Sequence, residues 1–291
     1  MDSKKMTGRE ALFRSKALLA PVIDDSQTAL NESLLMLGKA WKKDKLELVT
    51  TLDEALAEGV YAEFMKYVQR RLEREPLQYI LETQSFMDIL VHVDENVLIP
   101  RAETEILVQE ALQICDSIPS PRILDMCTGS GAIAVSLATC LPEALITAAD
   151  ISASALDIAR RNARKNRVED RITFVCGDFF APLSEKESYD LIVCNPPYIS
   201  ETEYLDLAPE VQREPYQALY GGKDGLDFYR RFALEAPQYL NAGGRVLLEI
   251  GWQQGQEASR ILSAQGFAAI KVFSDWNGRD RLVRGEFYRL L

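Results

Sequence analysis

Seven short apolar runs constrain this chain more than any other feature of its sequence. They lie at 122–126, 145–149, 172–176, 191–194, 246–250, 268–273 and 282–287. Helical patterns fall between most of them, notably at 152–166, 226–239 and 254–264. Near-continuous apolar strands alternating with helices predict a parallel sheet buried on both faces. Only a short linker around Asn277-Gly278 joins the last two runs, which is too short for a parallel crossover. The predicted fold class is therefore α/β: a Rossmann-like, mostly parallel sheet of seven strands with an antiparallel last strand.

The first 84 residues carry no strand pattern and read as a small helical bundle. One helix is predicted over 7–19. A second has Ser26 as N-cap, Leu30, Leu34 and Leu37 on one face, and Gly38 as its stop. A third starts from a Thr51/Glu54 capping box and repeats Leu56, Val60, Phe64, Val68 and Leu72 on one stripe, running to about Arg74. Pro76 disfavours helix at Glu75, so the bundle is predicted to end there. Next, Ile89, Val91, Val93 and Val97 alternate about an Asp94-Glu95-Asn96 turn, which predicts a β-hairpin. The expected domains are a helical domain at 1–84, a hairpin linker at 85–100 and a catalytic domain at 101–291.

Composition narrows the chemistry. His92 is the single histidine, which disfavours metal sites and relays built on histidine, and no metal is expected. His92 alternates with apolar residues and is expected to be structural. The net charge is −11, and it is uneven. Residues 1–84 hold 13 basic and 14 acidic side chains, whereas residues 85–291 hold 20 and 30. Such a domain lacks the cationic face that nucleic acid requires. The cysteines are Cys115, Cys127, Cys140, Cys176 and Cys194. Their odd number and lack of Cys-x-x-Cys spacing predict buried, reduced thiols in a cytoplasmic protein. The polar start, MDSKKMTGRE, lacks the apolar stretch of a signal peptide, and no apolar run is long enough for a membrane span. Nothing demands more than a monomer.

The first strand ends in ILDMCTGSGAIA, residues 123–134. Asp125 closes it, and Gly129 and Gly131 permit a tight turn into a helix. Gly129-x-Gly131-x-x-Ala134, with Asp150 nineteen residues after Gly131, also fits a dinucleotide fingerprint. The loop thus points to an adenosine-type cofactor. An acid beside the turn suits a cation better than a pyrophosphate. That favours S-adenosylmethionine, which carries a sulfonium and an ammonium. At the end of the third run, Asp178 and Phe179 could bind an adenine amine and pack on its ring; Asp178 could equally be a turn residue.

Asn195-Pro196-Pro197-Tyr198 follows the fourth run directly. Paired prolines cannot continue a strand ladder, so the chain leaves the sheet where ligands bind in such folds. A planar NH2 group is a poor nucleophile because its lone pair is delocalised. It must be held with that pair aimed at the methyl carbon. The Asn195 side-chain oxygen and the Pro196 carbonyl would accept its two hydrogens, and Tyr198 would pack against its plane. Orientation then supplies most of the catalysis, and no histidine base is needed.

Taken together, these motifs resemble class I S-adenosylmethionine-dependent methyltransferases. More narrowly, the chain resembles the HemK/PrmC family of protein-(glutamine-N5) methyltransferases. The resemblance covers nearly the whole sequence. It includes REPLQYI at 74–80, VLIPRAETE at 97–105, DMCTGSGAIA at 125–134, ADISASALDIARRNA at 149–163, NPPYI at 195–199, EPYQALYGGKDGLDFYR at 214–230, LLEIG at 247–251 and NGRDRLV at 277–283. It implies methylation of the Gly-Gly-Gln glutamine of class I peptide chain release factors. It places the methionine part of the cofactor on Cys127, Thr128, Gly129, Ser130 and Gly131 beside Asp125, the ribose on Asp150, and the adenine on Asp178 and Phe179. Asn195 to Tyr198 would hold the substrate amide, with Asn195 also near the cofactor, and the helical domain would grip the release factor.

The tetrad is shared with adenine-N6 and cytosine-N4 methyltransferases of nucleic acid, which remain the alternative, as does a glutamine of a ribosomal protein. The acidity of residues 85–291 argues against nucleic acid. The chain departs from the family in three places. Cys127 stands where glycine is usual, and is expected to have negative φ. Phe179 stands where Trp is frequent, and Ala102 where proline is common. Arg101, Glu103 and Glu105 are expected either to tie the domains together or to shape the site wall. Segment 200–222, with Tyr204, Tyr216 and Tyr220, is long enough to be a substrate-contacting lid. The resemblance brings Arg279 and Arg281 near the core.

Overall fold

The computed structural model describes residues 6–184 and 187–288, so residues 1–5 of the polar start lie outside it. Two compact units are present. One runs to Thr83 and includes Pro209–Arg213; the other comprises Gln84–Ala208 and Glu214 onward.

The first unit is helical: α1 (Gly8–Leu19), α2 (Ser26–Trp41), α3 (Lys45–Thr51), α4 (Glu58–Leu72) and α5 (Leu77–Leu81). Leu12, Leu19, Met36, Leu37, Leu48, Phe64, Val68 and Ile80 form its core. Thr7 caps α1 in a complete capping box with Glu10. Asp25, not Ser26, caps α2, and Gly38 lies inside that helix, which continues to a left-handed Lys42. The predicted Thr51/Glu54 box is not used. Thr51 ends α3, and its hydroxyl bonds back to the carbonyls of Glu47 and Leu48. α4 therefore begins later, without a side-chain cap, although the stripe through Phe64 and Val68 is buried as expected. Arg71 is buried between Glu32 at 2.7 Å and Glu210 at 2.8 Å.

The hairpin lies earlier than the apolar pattern suggests. It pairs β1 (Thr83–Phe86) with β2 (Ile89–His92), turning over Met87 and Asp88. Val93 and Val97 are buried as the pattern predicts, but they lie beyond the end of β2, outside any strand. The polar Thr83-Gln84-Ser85 hides the true first strand. Glu105, on α6 (Thr104–Cys115), accepts the Met87 N–H at 2.7 Å and fixes the turn.

The second unit is a seven-stranded sheet in the order β5-β4-β3-β6-β7-β9-β8. Its strands are β3 (Arg122–Met126), β4 (Leu145–Asp150), β5 (Ile172–Cys176), β6 (Tyr189–Cys194), β7 (Leu240–Glu249), β8 (Phe267–Ser274) and β9 (Asp280–Phe287). The first five are parallel. β9 inserts antiparallel between β7 and β8, as the short linker requires. Successive strand residues alternate between two apolar layers. Ile123, Ile146, Leu191, Val193 and Leu247 pack on α6 and on α7 (Ala132–Cys140). Leu124, Met126, Ile192, Val246 and Leu248 pack on α11 (Asp227–Glu235) and α12 (Gly255–Ala264). The strand order reverses between β3 and β6, which opens a crevice at their C-terminal ends. The short helices α9 (Glu201–Leu205) and α10 (Tyr216–Leu219), together with α8 (Ala153–Lys165), complete the α-helices among the described residues.

The cysteine expectation holds in part. All five are free, and Cys115 and Cys194 are buried. Cys140 and Cys176 are exposed, because one ends α7 and the other ends edge strand β5. Among the described residues, no helix is long and apolar enough to cross a membrane.

Candidate active site

A cavity of about 430 Å³ opens at the crevice. Of the predicted residues, Cys127, Thr128, Gly129, Ser130, Asp150, Asp178, Phe179, Asn195 and Pro197 line it; Asp125, Gly131, Pro196 and Tyr198 do not. Val97, Leu98, Pro100, Thr104, Tyr216, Tyr220 and Phe228 complete much of its wall.

Asp125 lies wholly buried beneath the glycine loop. One carboxylate oxygen accepts the Thr128 hydroxyl at 2.6 Å and the Ala134 N–H at 3.1 Å. Its other oxygen has no partner. Burial pushes this carboxyl up to about 7. Asp125 thus braces the loop from below, where the sequence suggested direct contact with the cofactor. Asn162 on α8 holds the loop from the side, donating to the Ser130 carbonyl at 2.8 Å while pairing with the His92 main chain. His92 accordingly sits at a structural junction, with its ring 2.8 Å from Arg161.

Cys127 has φ +59, against the expected negative value. The loop turns left-handed two residues before Gly129, because the Thr128 N–H must reach the Ala149 carbonyl. A side chain there is strained, at a cost of about 1 kcal/mol.

The Asp150 carboxylate accepts the Gly129 and Ser152 N–H groups at 2.8 and 2.9 Å. Burial raises it, and these two bonds partly oppose that shift. Asp178 is paired with Arg231 at 2.7 Å, and that guanidinium lies 3.9 Å over the Phe179 ring. Phe179 also packs on Phe228 at 4.7 Å. Neither Arg231 nor Phe228 was singled out by the sequence, since both reach the site from α11, some fifty residues further along.

The tetrad is held by residues from distant elements. Asn195 donates through Nδ2 to the Thr104 hydroxyl at 3.1 Å, and Thr104 donates to the Glu249 carboxylate at 2.7 Å. Asn195 Oδ1 is buried without a partner. Tyr198 turns away from the cavity and donates its hydroxyl to Glu249 at 3.2 Å. Burial pushes that phenol well above its ordinary range and pushes Glu249 up to about 7. Gln254 donates to the Tyr198 and Gly225 carbonyls at 2.9 and 3.2 Å. The GGKDG segment is glycine-rich for a steric reason. A Cβ on Gly221 would lie 2.7 Å from the Pro197 carbonyl oxygen, and one on Gly225 only 2.4 Å from that of Tyr198. Glu214 is buried, accepts the Ile99 N–H at 2.9 Å and pairs with Arg101. This fixes the start of the segment bearing Tyr216 and Tyr220, which stack at 4.9 Å with Tyr204 edge-on. Arg281 pairs with Asp275 at 3.0 Å, and Arg279 stands over Trp252.

The cavity accommodates an adenosine-bearing cation. Its floor is the glycine loop, the half-buried acid Asp150 lines it, and an unpartnered acceptor on Asn195 stands at its edge. The hMettl16 catalytic domain, solved in complex with a MAT2A 3′UTR hairpin, shares this fold. Its TM-score is 0.55 at 17% identity, over 68% of this chain and 75% of that one. The methyltransferase small domain family matches residues 102–222, and the PrmC N-terminal domain family matches residues 10–81. Fold and site define an S-adenosylmethionine-dependent methyltransferase. The release factor glutamine methyltransferase of Clostridium acetobutylicum is 35% identical over 277 residues, 94% of this chain and 96% of that protein. That of Moorella thermoacetica is 42% identical over 251 residues, 86% and 88% of the two chains. The chain belongs to the release factor glutamine methyltransferase family.

Proposed function

We propose that this enzyme methylates the N5 amide nitrogen of the glutamine in the Gly-Gly-Gln motif of class I peptide chain release factors. The products are N5-methylglutamine and S-adenosylhomocysteine. The observation that carries this reading is the Asn195 amide. Its donor side is committed to Thr104, and its acceptor Oδ1 is buried and free. Such an acceptor, with the main-chain carbonyl of Pro196, takes the two hydrogens of a planar NH2 group and turns its lone pair toward the methyl donor. S-adenosylmethionine supplies the activated methyl group, and the amide proton leaves to solvent. The chain's residues do the positioning. The glycine loop, Asp150, Asp178 and Phe179 seat the cofactor. Asn195, Pro196 and Pro197 aim the amide. Tyr198 stiffens the tetrad from behind.

The helical unit is the docking domain for the release factor. Its surface supports this, since Phe13, Leu46 and Val49 are 62, 77 and 52% exposed. The enzyme acts in the cytoplasm as a monomer. The test is methyl transfer to purified release factor, followed by peptide mass spectrometry. A methyl group on the Gly-Gly-Gln glutamine is the expected result. Label on DNA, RNA or a ribosomal protein instead would overturn the assignment.

A further inference from the structure

Resting on the reading of Asn195 as the acceptor for the substrate amide, we propose that Thr104 and Glu249 are positioning residues. They form a hydrogen-bond relay that fixes which corner of the Asn195 amide meets the substrate. An asparagine amide has two nearly isosteric orientations, and only its neighbours decide between them. Here the decision starts at a carboxylate. Ionised Glu249 can only accept, and it takes the single Thr104 proton at 2.7 Å. The Thr104 oxygen then has only lone pairs to offer, so the group 3.1 Å away on Asn195 must be the NH2. A flipped amide would set oxygen against oxygen. Oδ1 is left as the buried acceptor without a partner.

The relay is anchored at its far end. The other Glu249 oxygen takes the Tyr198 hydroxyl at 3.2 Å, and the Glu249 carbonyl takes the Tyr229 hydroxyl at 2.8 Å. Thr104 is the first residue of α6, Glu249 the last of β7, and Asn195 follows β6 directly. Both positioning residues are nearly inaccessible, at 3 and 2% exposure, so water does not substitute for either. Protonating Glu249 frees the Thr104 proton to turn toward Asn195 and lets the amide flip. Arg281 favours the charged form of Glu249, and Glu103 and burial oppose it. The carboxyl therefore titrates at about 7, with Tyr198 and Thr104 as its direct partners.

The test uses the full chain with Thr104→Val, Thr104→Ser and Glu249→Gln. Thr104→Val keeps the shape and removes the hydroxyl. It should lower kcat roughly 100-fold, with KM for release factor and Kd for S-adenosylhomocysteine within about threefold. Thr104→Ser should return kcat to within about threefold of the parent. Glu249→Gln should lower kcat by about tenfold and remove the acid limb near pH 7. A Thr104→Val enzyme within threefold of the parent, or a serine variant as poor as the valine one, overturns the relay. A second readout needs no substrate: the Asn195 side-chain 15N–1H signals of the protein saturated with S-adenosylhomocysteine, assigned by their loss in Asn195→Ala. These should be protected from exchange in the parent and in Thr104→Ser and unprotected in Thr104→Val; equal protection in all three overturns the relay. A parent enzyme that leaves release factor unmethylated would sink the proposed function alone, and the amide signals would still decide the relay.

Discussion

The glycine loop and the Asn-Pro-Pro-Tyr turn each stand over a buried carboxylate, Asp125 under one and Glu249 under the other. Burial pushes both up to about 7, and among the described residues neither is ion-paired with a lysine or arginine. They differ in what they hold. Asp125 takes a hydroxyl from its own loop and a backbone N–H from the first turn of α7. Glu249 takes two side-chain hydroxyls from separate elements, one of which carries on to Asn195. A loop that binds through its main chain needs its backbone fixed. A turn that must aim an amide needs the polarity of its side chains fixed. A carboxylate serves either purpose because it only accepts.

The largest test of that contrast is Asn195→Ala. It removes the aimed acceptor without touching the loop, so turnover should fall roughly 10³-fold while cofactor affinity changes by about threefold or less. Calorimetry with S-adenosylhomocysteine beside steady-state rates checks this. An equal loss in both would merge the two halves of the site. Next in size is the pH dependence of stability. Folded Asp125 and Glu249 titrate near 7, above their ordinary range near 4, so between those values the folded chain binds more protons than the unfolded one. Stability should therefore decline as pH rises from about 4 to 7, by at most about 3 to 4 kcal/mol per carboxyl. The double variant Asp125→Asn/Glu249→Gln should show a flat urea midpoint over that range. Asp125→Ala comes third. It leaves the Ala134 N–H and Thr128 hydroxyl unsatisfied, costing about 1–3 kcal/mol of stability. It should weaken cofactor binding more than turnover at saturation. The reverse order would place Asp125 with the tetrad.

How far the sequence reached follows the same division. The sheet was legible strand by strand, because strands buried on both faces announce themselves as apolar runs, although β7 begins six residues before its run. The glycine loop and the tetrad were legible because turns and paired prolines are local. Thr104, Glu249 and Gln254 were not, since their roles exist only where the start of α6 meets the ends of β6 and β7. The true first hairpin strand was hidden by its polar Thr-Gln-Ser. Thr51 looked like an N-cap and proved to be a helix end, a distinction that depends on which neighbours the backbone finds. Asp125 was found as a residue but its buried place beneath the loop was not legible, because an acid beside a glycine loop reads the same whether it faces the crevice or the core.

Cys127 provides the smallest and most local test, because its backbone sits at φ +59 at the edge of the loop that Asp125 braces. Replacing it with glycine relieves about 1 kcal/mol of left-handed strain. It also restores unfolded-chain freedom worth about 0.5–1 kcal/mol and removes the thiol's packing against the core beside it. The net change in stability should be within about 1 kcal/mol, and cofactor affinity within about twofold. Valine at the same position keeps the apolar contact and adds a β-branch to a left-handed backbone. Cys127→Val should therefore unfold about 2 kcal/mol more readily than Cys127→Gly. Urea titration of the pair separates strain from packing. Equal stability of the two variants would mean that the loop relaxes freely around residue 127, so that Asp125 does not hold its backbone fixed.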